Sequence, residues 1–274
     1  MPSFFFLNSG YNPAHYNMAL DEFLLGRPAG TFLRVYGWSI PAVSFGYGQS
    51  AAKELDLEKL RRENLHYVRR LTGGRAVLHD AEITYSVSAD IGGIFGRNLD
   101  SAYKTIAQAL EKTLKILGVS CELEKGAARD DRSKSSASLP CFASTARHEL
   151  KVNGKKIIGS AQRREKERFL QHGSLIIAPR LDITDYLRLD DKGKKKYKTI
   201  LKKEATSLQE ATGASYEYSR LAAAFKKGFG QAWGMKAEEF TPAEEACNKI
   251  AVLEKKYFSD DWNKLTVPAT RCSP

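Results

Sequence analysis

Two adjacent glycines, Gly73 and Gly74, lie in a basic segment that could bind an anionic or carbonyl oxygen. Glycine permits backbone conformations and close ligand contacts that a side chain would block. Consecutive backbone N–H groups in such a turn can hold an oxygen between them. Arg69, Arg70 and Arg75 flank the pair and add fixed positive charge. The segment predicts one wall of a binding pocket, although a Gly-Gly hairpin on a basic surface also explains much of it.

Two histidines offer acid–base chemistry. His79 precedes Asp80, so the two could serve as a base and its orienting carboxylate, although a turn capped by the aspartate is the plainer interpretation. His172 precedes Gly173 in a predicted strand, where a hydrogen-bonded structural histidine is the more common case. Residue type alone therefore assigns neither histidine a role.

A cysteine, Cys141, follows a polar loop over residues 127–139 and precedes a predicted strand. A thiol with a pKa near roughly 8.5 is only slightly ionised at neutral pH, and a neighbouring cation increases the thiolate fraction. Lys155 and Lys156 could supply that cation if their strand folds back beside the cysteine. Alternation along a strand places one lysine on each face, so the periodicity does not choose between them. Cys141 is a candidate nucleophile, with an ordinary loop cysteine as the alternative.

The small residues Gly159, Ser160 and Ala161 continue the strand after these lysines. Small side chains on a strand permit close approach of a ligand or of another backbone, although a simple bulge explains the same residues. We keep all three as candidate substrate contacts.

The remaining cysteines, Cys121, Cys247 and Cys272, have no C-x-x-C spacing. A zinc site and a disulfide framework are therefore not expected in a chain of this size. Cys121 and Cys247 fall in an apparent strand and a helical pattern, where we interpret them as ordinary small hydrophobic residues.

Hydrophobic periodicity predicts the elements that must position these residues. Predicted helices cover residues 16–24, 55–63 and 100–118, the last with an N-cap at Asp100, and a capping box at residues 241–244 begins another. Predicted strands cover residues 32–36, 42–45, 66–71, 83–89 and 169–177, with a hairpin over 149–162 that turns at Asn153-Gly154. In residues 83–89 the alternation predicts a half-buried strand. The order indicates a single α/β domain over residues 1–274, with a mixed or antiparallel sheet and a mainly helical part from 180 to 274.

The chain has 274 residues, 42% of them hydrophobic, and a formal net charge of +11. This composition excludes a disordered chain, and its positive field favours acidic partners, either nucleic acid or acidic carrier proteins. Residues 192–203 contain seven lysines, which a solvated helical or loop face explains most simply. No apolar run approaches the roughly 20 residues that span a bilayer, and the opening apolar run is too short for a secretory signal. We therefore expect a cytoplasmic protein.

Residues 69–80 read Arg-Arg-Leu-Thr-Gly-Gly-Arg-Ala-Val-Leu-His-Asp and resemble the signature loop of the lipoate–protein ligase and octanoyltransferase superfamily. Four further stretches agree in order, at residues 17–21, 33–38, 154–162 and 170–174. The resemblance is strongest to the Gram-positive type of octanoyl-[acyl carrier protein]:protein N-octanoyltransferase. In that type a Cys-Phe pair, here Cys141-Phe142, comes before the functional lysine, here Lys156.

The resemblance implies a biotin/lipoate-ligase-like α/β fold, with a mixed sheet flanked by helices. It implies an octanoyl thioester on Cys141, with octanoyl-acyl carrier protein as donor and a lipoyl-domain protein such as glycine cleavage H protein as acceptor. It implies no metal, cofactor, nucleic acid or membrane. The implied catalytic residues are Cys141 and Lys156. The implied substrate-binding residues are Arg70, Thr72, Gly73, Gly74, Arg75, His79, Gly159, Ser160, Ala161, His172 and Gly173.

The chain departs from the family pattern in one segment, and two alternative functions stay open. Residues 143–148 replace a proline-containing stretch that is usual in the family, which puts the local loop shape and the carrier preference in question. An ATP-dependent lipoate–protein ligase would use Lys156 to hold an acyl-adenylate and would need no cysteine. A basic nucleic-acid-binding module is the third interpretation, but the chain lacks aromatic stacking and helix-turn-helix motifs.

Overall fold

The computed structural model of the chain describes residues 2–124 and 148–264. Cys141, Cys272, the polar segment at 127–139 and most of the departing segment at 143–148 lie outside the described residues. The helices are α1 (Ala14–Leu25), α2 (Ala51–Glu54), α3 (Leu57–Arg62), α4 (Leu99–Ile116), α5 (Asp191–Glu204), α6 (Leu208–Thr212), α7 (Tyr218–Trp233), α8 (Glu244–Phe258) and α9 (Asp260–Asn263), with 3₁₀ turns at Gly93–Phe95 and Ile183–Tyr186. The strands are β1 (Ser3–Asn12), β2 (Phe32–Trp38), β3 (Ala42–Phe45), β4 (His66–Arg69), β5 (Val77–His79), β6 (Glu82–Asp90), β7 (Glu122–Leu123), β8 (Leu150–Val152), β9 (Lys155–Lys156), β10 (Ile158–Glu165), β11 (Arg168–Ile176) and β12 (Lys236–Glu239).

The main sheet is mixed, as predicted, with strand order β10-β11-β6-β2-β1-β12. Strands β12, β1 and β2 run parallel to one another, whereas β2, β6, β11 and β10 pair antiparallel. The edge strand β12 comes from the mainly helical C-terminal part and was not predicted. Its sequence Lys-Ala-Glu-Glu has no hydrophobic run from which a strand could be predicted. Backbone pairing with β1, rather than burial of side chains, holds it in the sheet.

Helices cover both faces of this sheet. Helices α4 and α7 pack on one face around Tyr85 and Phe225, and α1 and α8 pack on the other around Leu24 and Ile250. Burial on both sides makes the predicted half-buried strand wrong: of β6, only its last residue, Asp90, is exposed. The polar side of β6 therefore faces a buried polar interior instead of solvent.

Two helix starts differ from the prediction. The N-cap of α4 is Asn98 rather than Asp100, because the Asn98 side chain accepts the backbone N–H of Ser101 at 2.7 Å. No capping box forms at residues 241–244, and α8 begins after Ala243 without a side-chain cap. The preceding Phe240 still donates its backbone N–H to Phe6 of β1, so the chain stays extended as it approaches the helix.

The predicted hairpin has its two-residue turn at Asn153 and Gly154, both with positive φ, at 51° and 74°. This pair of angles is the one that an Asn-Gly hairpin turn requires. The strand predicted to follow the turn is divided at Ile157, which belongs to neither β9 nor β10. As a result, Lys156 lies in a small sheet of order β7-β8-β9, while the small residues that follow lie in the main sheet.

Two cysteines fall within the described residues. Cys121 is partly buried, and burial raises the pKa of its thiol to about 11. Cys247 lies on α8 as expected but is exposed, so it does not act as a core residue. None of the helices in the described ranges is both long and apolar enough to span a bilayer.

Candidate active site

The double-glycine segment connects β4 to β5 across the intervening strand β3, since the second sheet has the order β4-β3-β5. The simple hairpin alternative is therefore wrong. Gly74 has φ of +95°, a conformation that glycine adopts readily. Its carbonyl oxygen packs closely against Gly46, where an added Cβ would lie 2.1 Å away. The segment is thus held against the residues that follow β3, with Gly73 and Gly74 exposed at the surface.

Arg70 holds the glycine segment in place through side-chain hydrogen bonds. Its buried guanidinium donates hydrogen bonds to the carbonyl oxygens of Gly73 at 2.8 Å and Arg75 at 2.7 Å. It also donates to the Ser44 carbonyl at 3.1 Å and to the Thr72 hydroxyl at 3.2 Å. The planar fork of donors suits such simultaneous contacts, so Arg70 fixes the shape of the glycine segment.

Thr72 begins a buried chain of hydrogen bonds. Its hydroxyl lies 2.7 Å from Nε2 of His172, whose Nδ1 lies 3.3 Å from a carboxylate oxygen of Asp21. Burial lowers the pKa of His172, although Asp21 acts in the opposite direction. With a neutral imidazole, we assign the proton to Nδ1, which donates to Asp21, so that Nε2 accepts from Thr72. His172 therefore connects α1 to the glycine segment.

Asp21 is a buried carboxylate that is not among the site residues predicted from the sequence. It accepts hydrogen bonds from Arg34 at 2.7 Å, from the Tyr36 hydroxyl at 2.9 Å and from Ser86 at 2.8 Å. Burial raises the pKa of this carboxyl, but Arg34 and His172 outweigh it and hold the pKa below its usual value. The position of Asp21 on the polar side of an amphipathic helix, next to a strand arginine, was the available signal.

His79 is held by Glu82 and Ser44. Its Nδ1 lies 2.9 Å from Glu82, and its Nε2 lies 2.7 Å from the Ser44 hydroxyl. Its ring stacks on Trp38 with centroids 3.8 Å apart. The pairing of His79 with the adjacent Asp80, one of the two alternatives for this dipeptide, is not observed, because Asp80 binds Arg180 instead.

The polar side of the main sheet forms a cleft with an empty volume of about 390 Å³, open to solvent in part. It brings together seven predicted site residues, which are Arg70, His79, Gly159, Ser160, Ala161, His172 and Gly173. Four others do not line it, namely Thr72, Gly73, Gly74 and Arg75. The prediction missed seven lining residues, which are Met18, Tyr36, Trp38, Ser44, Val77, Thr84 and Ser174. Thr84 shows the cause of the omission, because the polar alternation of β6 indicates a solvent-exposed side when only the sequence is considered.

The three small residues of β10 are divided between the two faces of the sheet. Gly159 and Ala161 pair with Ser174 and His172 of β11, which places them on the cleft side. The Ser160 hydroxyl instead lies 2.8 Å from the hydroxyl of Tyr85, on the opposite side. The pairing of β10 with β11 runs without a register shift, so the bulge alternative is wrong.

Gly173 of β11, opposite these residues, has no room for a side chain. A Cβ added there would lie 2.5 Å from the Gly159 carbonyl oxygen and 2.6 Å from the Ser160 hydroxyl. Burial raises the pKa of the nearby Tyr85 to about 12, so its hydroxyl stays protonated. Tyr85 also accepts a hydrogen bond from Gln171 at 3.0 Å. Glycines on both β10 and β11 therefore bring the two strands close together here, and the hydroxyls of Ser160 and Tyr85 lie on the side away from the cleft.

On that far side lies a second cavity, which contains Lys156. The ammonium donates to Oε1 of Glu149 at 2.6 Å, and the two side chains are each only 6% exposed. Lys155 instead extends outward and donates to the carbonyl of Lys202 at 2.8 Å. Residues lining the second cavity are Tyr103, Ala107, Leu110, His148, Glu149, Leu150, Lys156, Ile158, Ser160 and Gln171. Ser160 thus lines both cavities, which lie on opposite sides of β10.

The match to a known family covers most of the chain. The profile of the lipoyl protein ligase A/B catalytic domain matches residues 13–230. The chain belongs to this family. A relative named Octanoyltransferase LipM from Geobacillus kaustophilus is 36% identical over 273 residues, covering 94% of this chain and 96% of the relative. A protein of the same name from Macrococcus caseolyticus is 35% identical over 270 residues, covering 94% and 97%. The chain is therefore an acyltransferase, as the sequence predicts.

Solved structures establish the fold of the family in this chain. A bipartite lipoate protein ligase from Thermoplasma acidophilum superposes with a TM-score of 0.80 at 21% identity, covering 97% of this chain and 98% of that one. A lipoate-protein ligase A bound with ATP gives a TM-score of 0.76 at 22% identity, covering 97% and 100%. These likenesses confirm the predicted lipoate-ligase-like α/β fold.

Proposed function

We propose that the chain moves an octanoyl group from octanoyl-acyl carrier protein, through a thioester on Cys141, to a lysine of a lipoyl domain such as that of glycine cleavage H protein. The observation that carries this proposal is the buried Lys156 ammonium, 2.6 Å from Glu149, in a cavity that shares the lining residue Ser160 with the polar cleft. Membership of the family and the octanoyltransferase names of the relatives support it. The role of Cys141 rests on the sequence.

The first step is a thioester exchange. The Cys141 thiolate attacks the octanoyl carbonyl, a new carbon–sulfur bond forms, and the bond to the carrier's phosphopantetheine sulfur breaks. The departing thiolate leaves with the carrier and takes up a proton. Because one thioester replaces another, the exchange is close to thermoneutral and needs no ATP.

The acyl chain would occupy the cleft, where the side chains of Met18, Trp38 and Val77 provide apolar surface. Arg70, which lines the cleft and holds the glycine segment, would place its positive charge near the carbonyl oxygen. The chain of hydrogen bonds through His172 would keep that segment in position. Gly159 and Ala161 leave room along the opposite wall.

The second step forms an amide. The ε-amine of the acceptor lysine attacks the Cys141 thioester, the carbon–sulfur bond breaks, and the amine loses a proton. The Lys156 ammonium, held by Glu149, would stabilise thiolate charge electrostatically and exchange protons with the incoming amine. The two roles explain why a cation is held inside a cavity instead of at the surface.

The overall charge suits the proposed partners. A net charge of +11 attracts acidic carrier and lipoyl-domain proteins, and it acts at a distance before specific contacts form. The proposal includes the cytoplasmic location predicted from the sequence.

Intact-mass spectrometry tests the covalent step. Incubation with octanoyl-carrier protein should add one octanoyl group to the wild-type chain, and hydroxylamine should remove it. The Cys141→Ser variant should form no hydroxylamine-sensitive adduct and should lose transfer to the lipoyl domain. Cys121→Ser and Cys247→Ser serve as matched controls that keep the adduct. Full transfer by Cys141→Ser would refute the thioester mechanism.

The same assay separates this proposal from an ATP-dependent ligase. Octanoyl-carrier protein without ATP should support transfer, whereas free octanoate with ATP should release no pyrophosphate. Pyrophosphate release with product formation from free octanoate would assign the chain to the ligases instead.

A further inference from the structure

A stripe of lysines runs along the exposed side of α5. It consists of Lys192, Lys195, Lys196, Lys198, Lys202 and Lys203, all of which are exposed. Residues three, four and seven positions apart share one side of a helix, so these side chains form one continuous surface. The other side of α5 carries Tyr197, which packs against a hydrophobic cluster formed by the second sheet. We call the six residues the lysine stripe.

The stripe is poorly neutralised within the described residues. Only two of its ammonium groups lie within 4.0 Å of a carboxylate there, Lys198 at 2.9 Å from Asp182 and Lys203 at 3.9 Å from Glu204. Like charges at helical spacing repel one another and destabilise the helix. A binding partner with carboxylates on its surface would relieve this repulsion, and complementary charge would also speed the encounter.

The end of the stripe is attached to the strand that carries Lys156. The backbone N–H of Thr206 donates to the Lys156 carbonyl at 2.9 Å, and Ala205 forms a parallel bridge with the same residue. Lys155 donates to the carbonyl of Lys202 on the last turn of α5. The lysine stripe therefore starts beside the second cavity and runs away from it along a helix that is about 20 Å long.

We propose that the lysine stripe docks the acidic carrier protein that delivers the acyl group on a phosphopantetheine arm, an inference that rests on the proposed function. The arm is several times longer than a lysine side chain. A carrier can therefore bind along α5 while its thioester reaches the cavities. An acceptor domain has only its lysine side chain to extend, so it must bind at the opening itself.

Steady-state transfer with Lys195→Glu/Lys202→Glu tests the assignment. The KM for octanoyl-carrier protein should rise about tenfold or more, as expected when charges at a docking surface are reversed, while kcat stays within about twofold. Higher salt should raise the wild-type KM and change that of the variant much less. The KM for the lipoyl domain should not change. Octanoyl-pantetheine, which carries the arm without the protein, should be used equally by variant and wild type.

A control variant, Lys227→Glu/Lys255→Glu, makes the same change in net charge on exposed positions of α7 and α8. Its KM for octanoyl-carrier protein should remain near that of wild type, and circular dichroism should show all three proteins folded. Equal KM values for the two charge variants would overturn the proposal. A rise in the KM for the lipoyl domain alone would assign the stripe to the acceptor and overturn it as well.

Direct binding distinguishes failure of this inference from failure of the proposed function. Titration of carrier protein lacking the acyl group should show weaker binding to Lys195→Glu/Lys202→Glu than to wild type, whether or not transfer occurs. Absence of transfer by wild type from any donor would refute the proposed function but leave this comparison intact. Unchanged carrier affinity, with loss of duplex DNA binding, would make the stripe a nucleic-acid surface instead.

Discussion

The ammonium of Lys156 lies 2.6 Å from a carboxylate oxygen of Glu149, and both side chains are buried at the wall of one cavity. Lys156 lies on β9, and Glu149, seven positions earlier, directly precedes β8 of the same small sheet. Removal of one member of a buried pair leaves an uncompensated charge, so each partner depends on the other. The ion pair therefore fixes the Lys156 ammonium in the cavity that Ser160 of β10 also lines.

Glu149→Gln should keep a hydrogen-bond acceptor for Lys156 but remove the negative charge. We expect kcat to fall, by at most the roughly 10²–10⁴-fold that a positioned proton-transfer group contributes, with little change in KM. Single-turnover measurements of thioester formation and of amide formation should show which step slows. Glu111→Gln removes a carboxylate that pairs with Lys115 at the surface and should leave kcat unchanged. Wild-type rates in Glu149→Gln would contradict the role given to the pair.

Gly46→Ala should displace the glycine segment, because the new Cβ would lie 2.1 Å from the backbone oxygen of Gly74. Overpacking against backbone costs about 1–3 kcal/mol of unfolding free energy, and we expect transfer activity to fall with it. Gly48→Ala is the matched control, because no atom lies within 4 Å of a Cβ built there. Denaturant unfolding with parallel activity assays checks both variants. Equal stability of the two would show that the contact is unimportant.

The buried pair of Asp21 and Arg34 should contribute strongly to folding. Asp21→Ala leaves the fully buried guanidinium of Arg34 without its carboxylate, and we expect a loss of about 3–5 kcal/mol in unfolding free energy. Asp260→Ala removes the partner of Lys264 in an exposed pair and should change stability very little. Urea denaturation measures both. A small effect for Asp21→Ala would show that its hydrogen-bonding neighbours rearrange around the loss.

The buried His172 should make the fold sensitive to mild acid. Because burial lowers its pKa in the folded state, the unfolded chain binds a proton more readily below the ordinary histidine value of about 6.5. Stability should therefore fall as the pH drops from about 6.5 towards the lowered folded-state pKa. His172→Asn should reduce this pH slope by at most about 1.4 kcal/mol per pH unit, the limit for one proton.

Thermal or urea unfolding at several pH values between about 5 and 7 measures that slope. Burial also lowers the pKa of His15 and of His66, so part of the slope should persist in the variant. His15→Gln is a suitable comparison, because it removes a partly exposed histidine outside the cleft. An unchanged slope in His172→Asn would show that this imidazole binds its proton in the folded chain.

Much of the fold could be predicted because it depends on local pattern. The Asn153-Gly154 turn requires two positive φ angles, and those residue types provide them. Strand β12 could not be predicted, because only backbone pairing with a distant strand forms it. The candidate site divides in the same way. Motif order in the sequence identifies Lys156, whereas its contact with Glu149 depends on the pairing of β9 with β8, which Glu149 precedes.

The sequence by itself determined the family, through five motifs in a fixed order, and with it the expected chemistry of Cys141 and Lys156. Only the tertiary structure decided that Glu82 orients His79 and that Ser160 faces away from Gly159 and Ala161. Motifs are defined by residue type and spacing, and both can be read directly from the sequence. Hydrogen-bond partners depend on which strands become neighbours, and that is set by burial over the whole sheet.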